Sequence, residues 1–523
     1  MNKQLTDILH HLRSPYLEIG IMLLSVLLAF CGLVALAVTG PETSGGEMSN
    51  VAIIGILLAF FLLATAIAVI SVIAGIGGGV IFTPIMLAFT NVDSVVIRGT
   101  GLIVAMFSGL ISTGIFLRKG LGNYRFCMTM TLSQSIGALL GATLAVRAAE
   151  TDGASGEGLM RTALGLLIAA IAVYFLLGSK NLEWPLIRRI DKFTALLQLG
   201  GSYFEETEGR MRTYQVTRAP LGLALLFLAG LVGGFFGMGG GWAVTPALNL
   251  GMAMPLKLAV ANSGIIHGIG SCVSIWPYAD SGSLIPLFVL PWISGLVIGG
   301  FIGSHLLARI KVQIIRHIMI AILAFTAFSL ITKGLDQLGW IGEVPAFVQV
   351  LVFIFLLAAV LLSILGKRTQ KKEAPTATKK LATTMVPAPD LPLSQRVYAG
   401  IIHWVTIGVA LAALFLPLLI LRHPLQNMLA PDLIFGTIFS GANTTQIWQL
   451  SAAGSFPGIH AYLSFPAFAD SWAQLVLNLG CAVGLLAALP AASIQLLKEQ
   501  DWLDGVLSLI MAALVAGAMT GII

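Results

Sequence analysis

Two stretches of the chain carry the same residues at the same spacing. Gly75-Ile76-Gly77-Gly78-Gly79 is followed by Thr83-Pro84, and Gly237-Met238-Gly239-Gly240-Gly241 by Thr245-Pro246. An interval of 162 positions separates the copies, and it also relates Gly137 to Gly299, Gly141 to Gly303 and Arg147 to Arg309. Threonine is a good N-cap, and proline is favoured at the first helical position, where no amide hydrogen is needed. Each Thr-Pro pair therefore predicts a short helix starting just after its glycine run. Such a start presents unpaired N–H groups and the positive end of the helix dipole, which attract anions. Glycine lets backbone approach a ligand closely. Two of these ends meeting would make a cradle of backbone donors with little fixed charge, suited to a small oxyanion. The competing reading is that the glycines only let helices pack closely. Two runs, each with its own Thr-Pro pair, favour the site.

The next segments add side chains. Thr100 aligns with Asn262 and Gly101 with Ser263. These small polar groups either donate to the same ligand or bond between helices, and the two readings are even. His267 lies mid-helix, where an ionisable group suggests function. It would donate to an oxyanion, carry a coupled proton, or sit neutral against a carbonyl. Ser271 shares its face. Arg98 and Lys257 lie near helix starts, where they attract anions or simply snorkel. Almost no carboxylate falls in the apolar segments, so the acidic relay of many coupled carriers is missing. No catalytic or metal-binding constellation is visible, and no cofactor is expected.

The rest of the chain must hold these residues in a bilayer. It has 523 residues, 57% hydrophobic and 10% charged, far short of the quarter or so of charged residues in soluble domains. Apolar runs of roughly 20 residues recur throughout, predicting an all-α polytopic membrane protein. The net charge of +6 follows from basic loops, without nucleic acid as a partner. The four cysteines are scattered and suggest neither a disulfide framework nor a metal site. The spans fall near 17–38, 51–73, 95–117, 126–148, 160–177, 219–236, 256–278, 285–308, 313–333, 346–366, 397–421, 471–496 and 503–523. The pieces near 80–91 and 242–253 are half-helices, too short to cross. The first apolar run is too long for a signal peptide and reads as a retained helix.

Basic residues cluster at Arg118 to Arg125, Lys180 to Arg218, Arg309 to Arg316 and Lys367 to Lys380, which places those loops and the N-terminus in the cytoplasm. The loops at 39–50, 149–159, 279–284 and 334–345 are poor in Lys and Arg and face outward. The equivalent of an inner loop is thus an outer one. The chain therefore reads as two inverted-topology repeats, each a glycine-broken re-entrant hairpin plus three transmembrane helices, with extra N- and C-terminal helices. In order, 1–50 is an extra transmembrane helix, 51–177 repeat 1, and 178–218 a cytoplasmic linker with an interfacial helix and a hairpin. Repeat 2 spans 219–333, a closing helix 334–366, a disordered cytoplasmic linker 367–392 and a C-terminal membrane module 393–523.

From about Ala64 to Gly334 the chain resembles the TauE/SafE (toluene-sulfonate uptake permease) family. The resemblance rests on both Gly-x-Gly-Gly-Gly motifs with their prolines, and on "GSYFEETEGRMRTYQV" running into "PLGLALLFLAGLVGGFFGMGGG". It implies a carrier of sulfite, sulfonates or related organic anions. The C-terminal helices resemble a small membrane module, of unassigned function, that accompanies some members. Two features depart from the family pattern: threonine precedes both prolines, and His267 stands where a small or apolar residue is expected.

The expected function is a permease moving a small sulfur-containing or organic anion across the bacterial inner membrane by alternating access. It is not expected to be an enzyme. Its substrate-binding residues would be Gly75, Gly77, Gly78, Gly79, Thr83, Pro84, Thr100, Gly237, Gly239, Gly240, Gly241, Thr245, Pro246, Asn262, Ser263 and His267. The partners are that anion and the lipid bilayer, with a homo-oligomer or a protein partner held through the C-terminal module left open. Two alternatives remain: a sulfur-relay enzyme using Cys127 or Cys272, and a scaffold subunit.

Overall fold

The computed structural model describes residues 15–39, 48–74, 76–151, 153–177, 189–205, 210–306, 312–342, 391–459 and 468–522, with a few single positions between 344 and 355. The expected span at 346–366, the linker at 367–392 and Gly75 fall largely or wholly outside the described residues.

The protein is an all-α polytopic membrane protein. Among the described residues, eight helices are long and apolar enough to cross a bilayer, and a ninth if one bent pair is counted as a span. The first half comprises α1 (Pro15–Thr39), α2 (Asn50–Ala74), the short α3 (Gly79–Phe89), α4 (Ser94–Arg118), α5 (Tyr124–Thr151) and α6 (Gly153–Leu177). A connecting segment carries α7 (Lys192–Leu197) and a hairpin of β1 (Gly201–Glu205) and β2 (Arg210–Tyr214), paired antiparallel with Tyr203 opposite Arg212. Asp191 caps α7. Its carboxylate accepts from the Thr194 N–H at 3.0 Å, the Thr194 hydroxyl at 2.6 Å and the Arg218 N–H at 2.6 Å. The Thr194 hydroxyl is the main cause holding this acid at about 2, below its usual value.

The second half runs α8 (Ala219–Phe235), α9 (Gly241–Pro246) with a π-turn at Ala247–Gly251, α10 (Leu256–Ser274), α11 (Trp276–Asp280), α12 (Pro286–Leu306) and α13 (Val312–Gln337). The two halves pack by exchange. α2 lies against α12, α5 against α8, α4 against α10 and α6 against α13. Close contacts repeat at the sequence interval: Gly137 meets the Phe227 carbonyl and Gly141 the Leu231 carbonyl, while Gly299 meets the Thr65 carbonyl and Gly303 meets Val69. Small residues let helix backbones touch where lipid supplies no hydrophobic drive.

The short helices correct one expectation. Thr83 and Pro84 do not start α3, and Thr245 and Pro246 do not start α9. Gly78 and Gly240 are the N-caps, four or more residues earlier. The Ile81 and Phe82 N–H groups bond back to the Gly78 carbonyl, and the Gly78 N–H donates to Ser108 Oγ at 3.0 Å. Tertiary contact thus caps the helix before its threonine. Each proline then sits inside a helix without an N–H to give, which frees a carbonyl one turn back. After Pro246 the ladder slips to the wider π register, with the Met252 N–H reaching the Ala247 carbonyl at 3.1 Å.

The C-terminal helices are α14 (Leu393–Arg422), α15 (Pro431–Phe439), α16 (Thr444–Gln449), α17 (Ala469–Cys481), α18 (Val483–Ile494) and α19 (Trp502–Met519). α17 and the segment from Val483 to Glu499 form the bent pair, at 44°. This group is tied to the preceding halves at both ends of α4. Gln395 Nε2 donates to the Leu117 carbonyl at 3.1 Å, and Arg125 pairs with Asp501 at 2.5 Å and Asp504 at 2.6 Å. At the other end, Thr444 Oγ1 donates to Asp93 and Trp448 Nε1 to the Gly282 carbonyl.

Candidate functional site

The glycine loops that precede α3 and α9 touch each other. A methyl group on Gly79 would lie 2.5 Å from the Met238 carbonyl oxygen, and one on Gly241 would strike the Ile76 carbonyl oxygen. Gly79 and Gly241 stand at the sequence interval, and so do Ile76 and Met238. The contact is therefore reciprocal, as across a two-fold axis. Gly77 and Gly237 both take positive φ, 80° and 69°, which turns the chain into each short helix. The N–H groups of Gly79 and Val80, and of Gly241 and Trp242, belong to first helical turns and have no carbonyl in their own helices. Trp242 Nε1 is a further buried donor without a partner.

Polar side chains from the opposite half face each loop, His267 at the first, and Gln134 and Thr83 at the second. The ring tip of His267 lies beside Gly77, its Nε2 about where a side chain on that residue would begin, at 3.0 Å. His267 is 3% exposed. Its Nδ1 lies 2.7 Å from the Ser263 carbonyl oxygen, and its Nε2 is buried without a partner. Gln134 abuts Gly240, and its Oε1 is also buried and unpartnered. The sequence reading missed Gln134. Its signal was a lone amide in an apolar run, at the position where the other half has Leu296, which contacts Gly78.

The other predicted residues divide. Thr83 donates its hydroxyl to the Gly237 carbonyl at 2.7 Å, and Ser263 Oγ points at the Gly241 carbonyl at 3.4 Å. Gly78 and Gly239 line the same junction, Gly239 against Ala105. Pro84, Thr245 and Pro246 lie in the short helices. Thr100 and Asn262 are not brought to the loops by any contact. The Thr100 hydroxyl donates to the Val96 carbonyl at 2.8 Å within its own helix. The Asn262 amide donates to the Leu258 and Leu121 carbonyls and accepts from Cys127 Sγ at 2.9 Å.

Beyond the second loop lies a larger cavity, of about 690 Å³, with Asp93, Arg98, Glu157 and Thr444 in its walls. The guanidinium of Arg98 is buried and held by Ser94 and the Phe235 carbonyl. Glu157 pairs with Arg161 at 2.6 Å. Burial pushes the Asp93 carboxyl up, although it accepts from the Val95 N–H and Thr444. The backbone of Arg98 packs on Gly237, so this cavity adjoins the glycine junction.

The family model for the sulfite exporter TauE/SafE matches residues 59–330, just over half of the chain. The chain belongs to the TauE/SafE family. This TauE/SafE protein is thus a membrane transporter rather than an enzyme. A second family model, whose description names no function, matches residues 395–522. The chain is 26% identical over 269 residues to the probable membrane transporter protein YunE of Bacillus subtilis, covering 50% of this chain and 92% of that one. It is 24% identical over 246 residues to a probable membrane transporter protein of Xylella fastidiosa, covering 47% and 82%. No solved structure matches it.

Proposed function

We propose that this transporter moves a small sulfur-containing or organic anion, such as sulfite or a sulfonate, across the bacterial cytoplasmic membrane by alternating access. The observation that carries the reading is the junction of the two glycine loops. Two helix starts meet there, and their first N–H groups have no carbonyl to bond within their own helices. Backbone donors with no fixed cation suit an oxyanion that must be bound and then released. The reciprocal contacts support two inverted repeats, because equivalent residues contact one another across the junction. In such a pair each half can adopt the conformation its twin leaves. Arg98 offers a positive charge in the adjoining cavity, and the basic loops support a cytoplasmic N-terminus.

The membrane potential favours anion exit from a negative interior by about 2.3 kcal/mol per charge per 100 mV. Export is the downhill direction, and uptake needs a coupled ion.

Flux of isotope-labelled sulfite and of a simple alkyl sulfonate in proteoliposomes tests the proposal. Wild-type protein should carry at least one of them, and Gly79→Ala and Gly241→Ala should lower that flux at least tenfold. Equal flux in the wild type and both variants would remove the glycine junction from the mechanism.

A further inference from the structure

The polar side chains that line the cavity at the first glycine loop, among Val72, Phe116 and Val260, offer it hydrogen-bond acceptors, whereas an anion site needs donors. His267 shows why. A carbonyl oxygen only accepts, so the 2.7 Å contact with the Ser263 carbonyl requires the hydrogen on Nδ1. In the neutral ring Nε2 is then a bare lone pair, and it is buried with no donor to meet it. Three serines share the cavity wall with it and Gly77. Each spends its hydroxyl hydrogen on its own helix: Ser71 on the Ala68 carbonyl at 3.1 Å, Ser108 on Ala105 at 2.9 Å, and Ser112 on Gly109 at 2.7 Å. Ser108 Oγ also accepts the Gly78 N–H at 3.0 Å. The remaining hydroxyl lone pairs face a space of about 20 Å³, room for roughly one water-sized occupant.

We infer that this cavity is a proton-binding site, that His267 Nε2 is the group that takes the proton, and that the three serine oxygens stabilise the imidazolium in place of a carboxylate. The site itself stands on this hydrogen-bond accounting, while its role in coupling rests on the anion-transporter reading above. One H⁺ adds to Nε2, Nδ1 keeps its hydrogen, and the +1 charge offsets that of a monoanion at the adjoining loop. The pair then crosses without net charge, so the membrane potential no longer opposes inward movement.

Among the described residues, no other titratable group forms this wall. On the elements packed against α10, the described charged or titratable side chains are Arg98 and Arg118 at the ends of α4, and Tyr124, Arg125, Cys127 and Arg147 on α5. α11 carries Tyr278 and Asp280, α19 carries Asp504, and α10 itself Lys257 and Cys272. None of these lines the cavity. His403 of α14 packs on Gly114, on α4.

The test has two parts. Nitrogen-15 NMR of histidine-labelled protein in nanodiscs should show, at pH 8, a ring with Nδ1–H and bare Nε2 that is missing from His267→Gln. A ring carrying Nε2–H at that pH would overturn the site. In proteoliposomes, an inward proton gradient should drive sulfite accumulation. His267→Gln should lower that accumulation at least tenfold while sulfite–sulfite exchange at equal pH falls several-fold less. Ser112→Ala, which removes one acceptor and keeps the helix, should shift the pH dependence to lower pH. Unchanged gradient-driven accumulation in His267→Gln, or accumulation driven by sodium and indifferent to pH, would overturn the proton assignment. Wild-type protein that moves no anion in either mode would overturn the transporter substrate instead, and the NMR result then decides the site by itself.

Discussion

Thr83 gives its hydroxyl hydrogen to the carbonyl of Gly237 at 2.7 Å, joining residues 154 apart in sequence. The bond ties the short helix of one half to the glycine loop of the other, in a region closed to water. Thr83→Val strands that carbonyl. The expected loss is about 1 kcal/mol, between the ~0.6 of an average interhelical bond in bilayers and the 1–3 of a buried unpaired acceptor. Reversible unfolding in mixed micelles checks it, and Thr83→Ser should recover most of the loss.

The reciprocal contacts predict paired effects. Gly79→Ala and Gly241→Ala each push a methyl group into a carbonyl oxygen on the opposite loop, so both should reduce stability and flux together. Gly55→Ala has nothing within 4 Å of the added methyl and should leave both unchanged. A thermal-shift series across the three variants would show whether the two loops behave as equivalents.

Gln134 makes the second loop unlike the first, where Leu296 holds the equivalent place. Gln134→Leu removes a buried unpaired oxygen, so the fold should be as stable as wild type or more so. Anion flux should nevertheless fall at least tenfold, because an amide capable of two donated bonds is lost at the junction. Melting temperature and flux moving in opposite directions is the signature to look for.

Arg125 pairs with both Asp501 and Asp504, with side chains 18%, 35% and 15% exposed respectively. Removing the arginine leaves two carboxylates close together and partly buried, which costs more than the pair contributes. In a chain cut within 367–392, the C-terminal part should co-purify with the wild-type N-terminal part and be recovered several-fold less with Arg125→Met.

Asp191 joins α7 to the start of α8 and titrates at about 2 because the Thr194 hydroxyl and the Thr194 and Arg218 N–H groups favour its carboxylate. A depressed acid contributes stability above its unfolded value, near 3.8, and loses it as pH falls through the folded one. Hydrogen exchange around 192–218 should be faster in Asp191→Asn than in wild type at neutral pH. The difference should close between about pH 4 and pH 2.

The sequence by itself determined the class of this protein and the place of its interruptions. Apolar runs of bilayer length leave helices as the sole option for the backbone, and glycine runs break them wherever they fall. The 162-residue interval was legible because glycines at close contacts tolerate no substitution by size, so Gly137 and Gly299 remain as visible twins. Helix starts were not legible. Thr-Pro looks like a beginning locally, but Ser108 on another helix caps Gly78 and moves the start upstream. The lone pair on His267 was equally hidden, since only the Ser263 carbonyl, one turn away at 2.7 Å, decides which ring nitrogen keeps its hydrogen. Local preference fixes what a residue can do; which partner meets it is decided by packing between segments far apart in the chain.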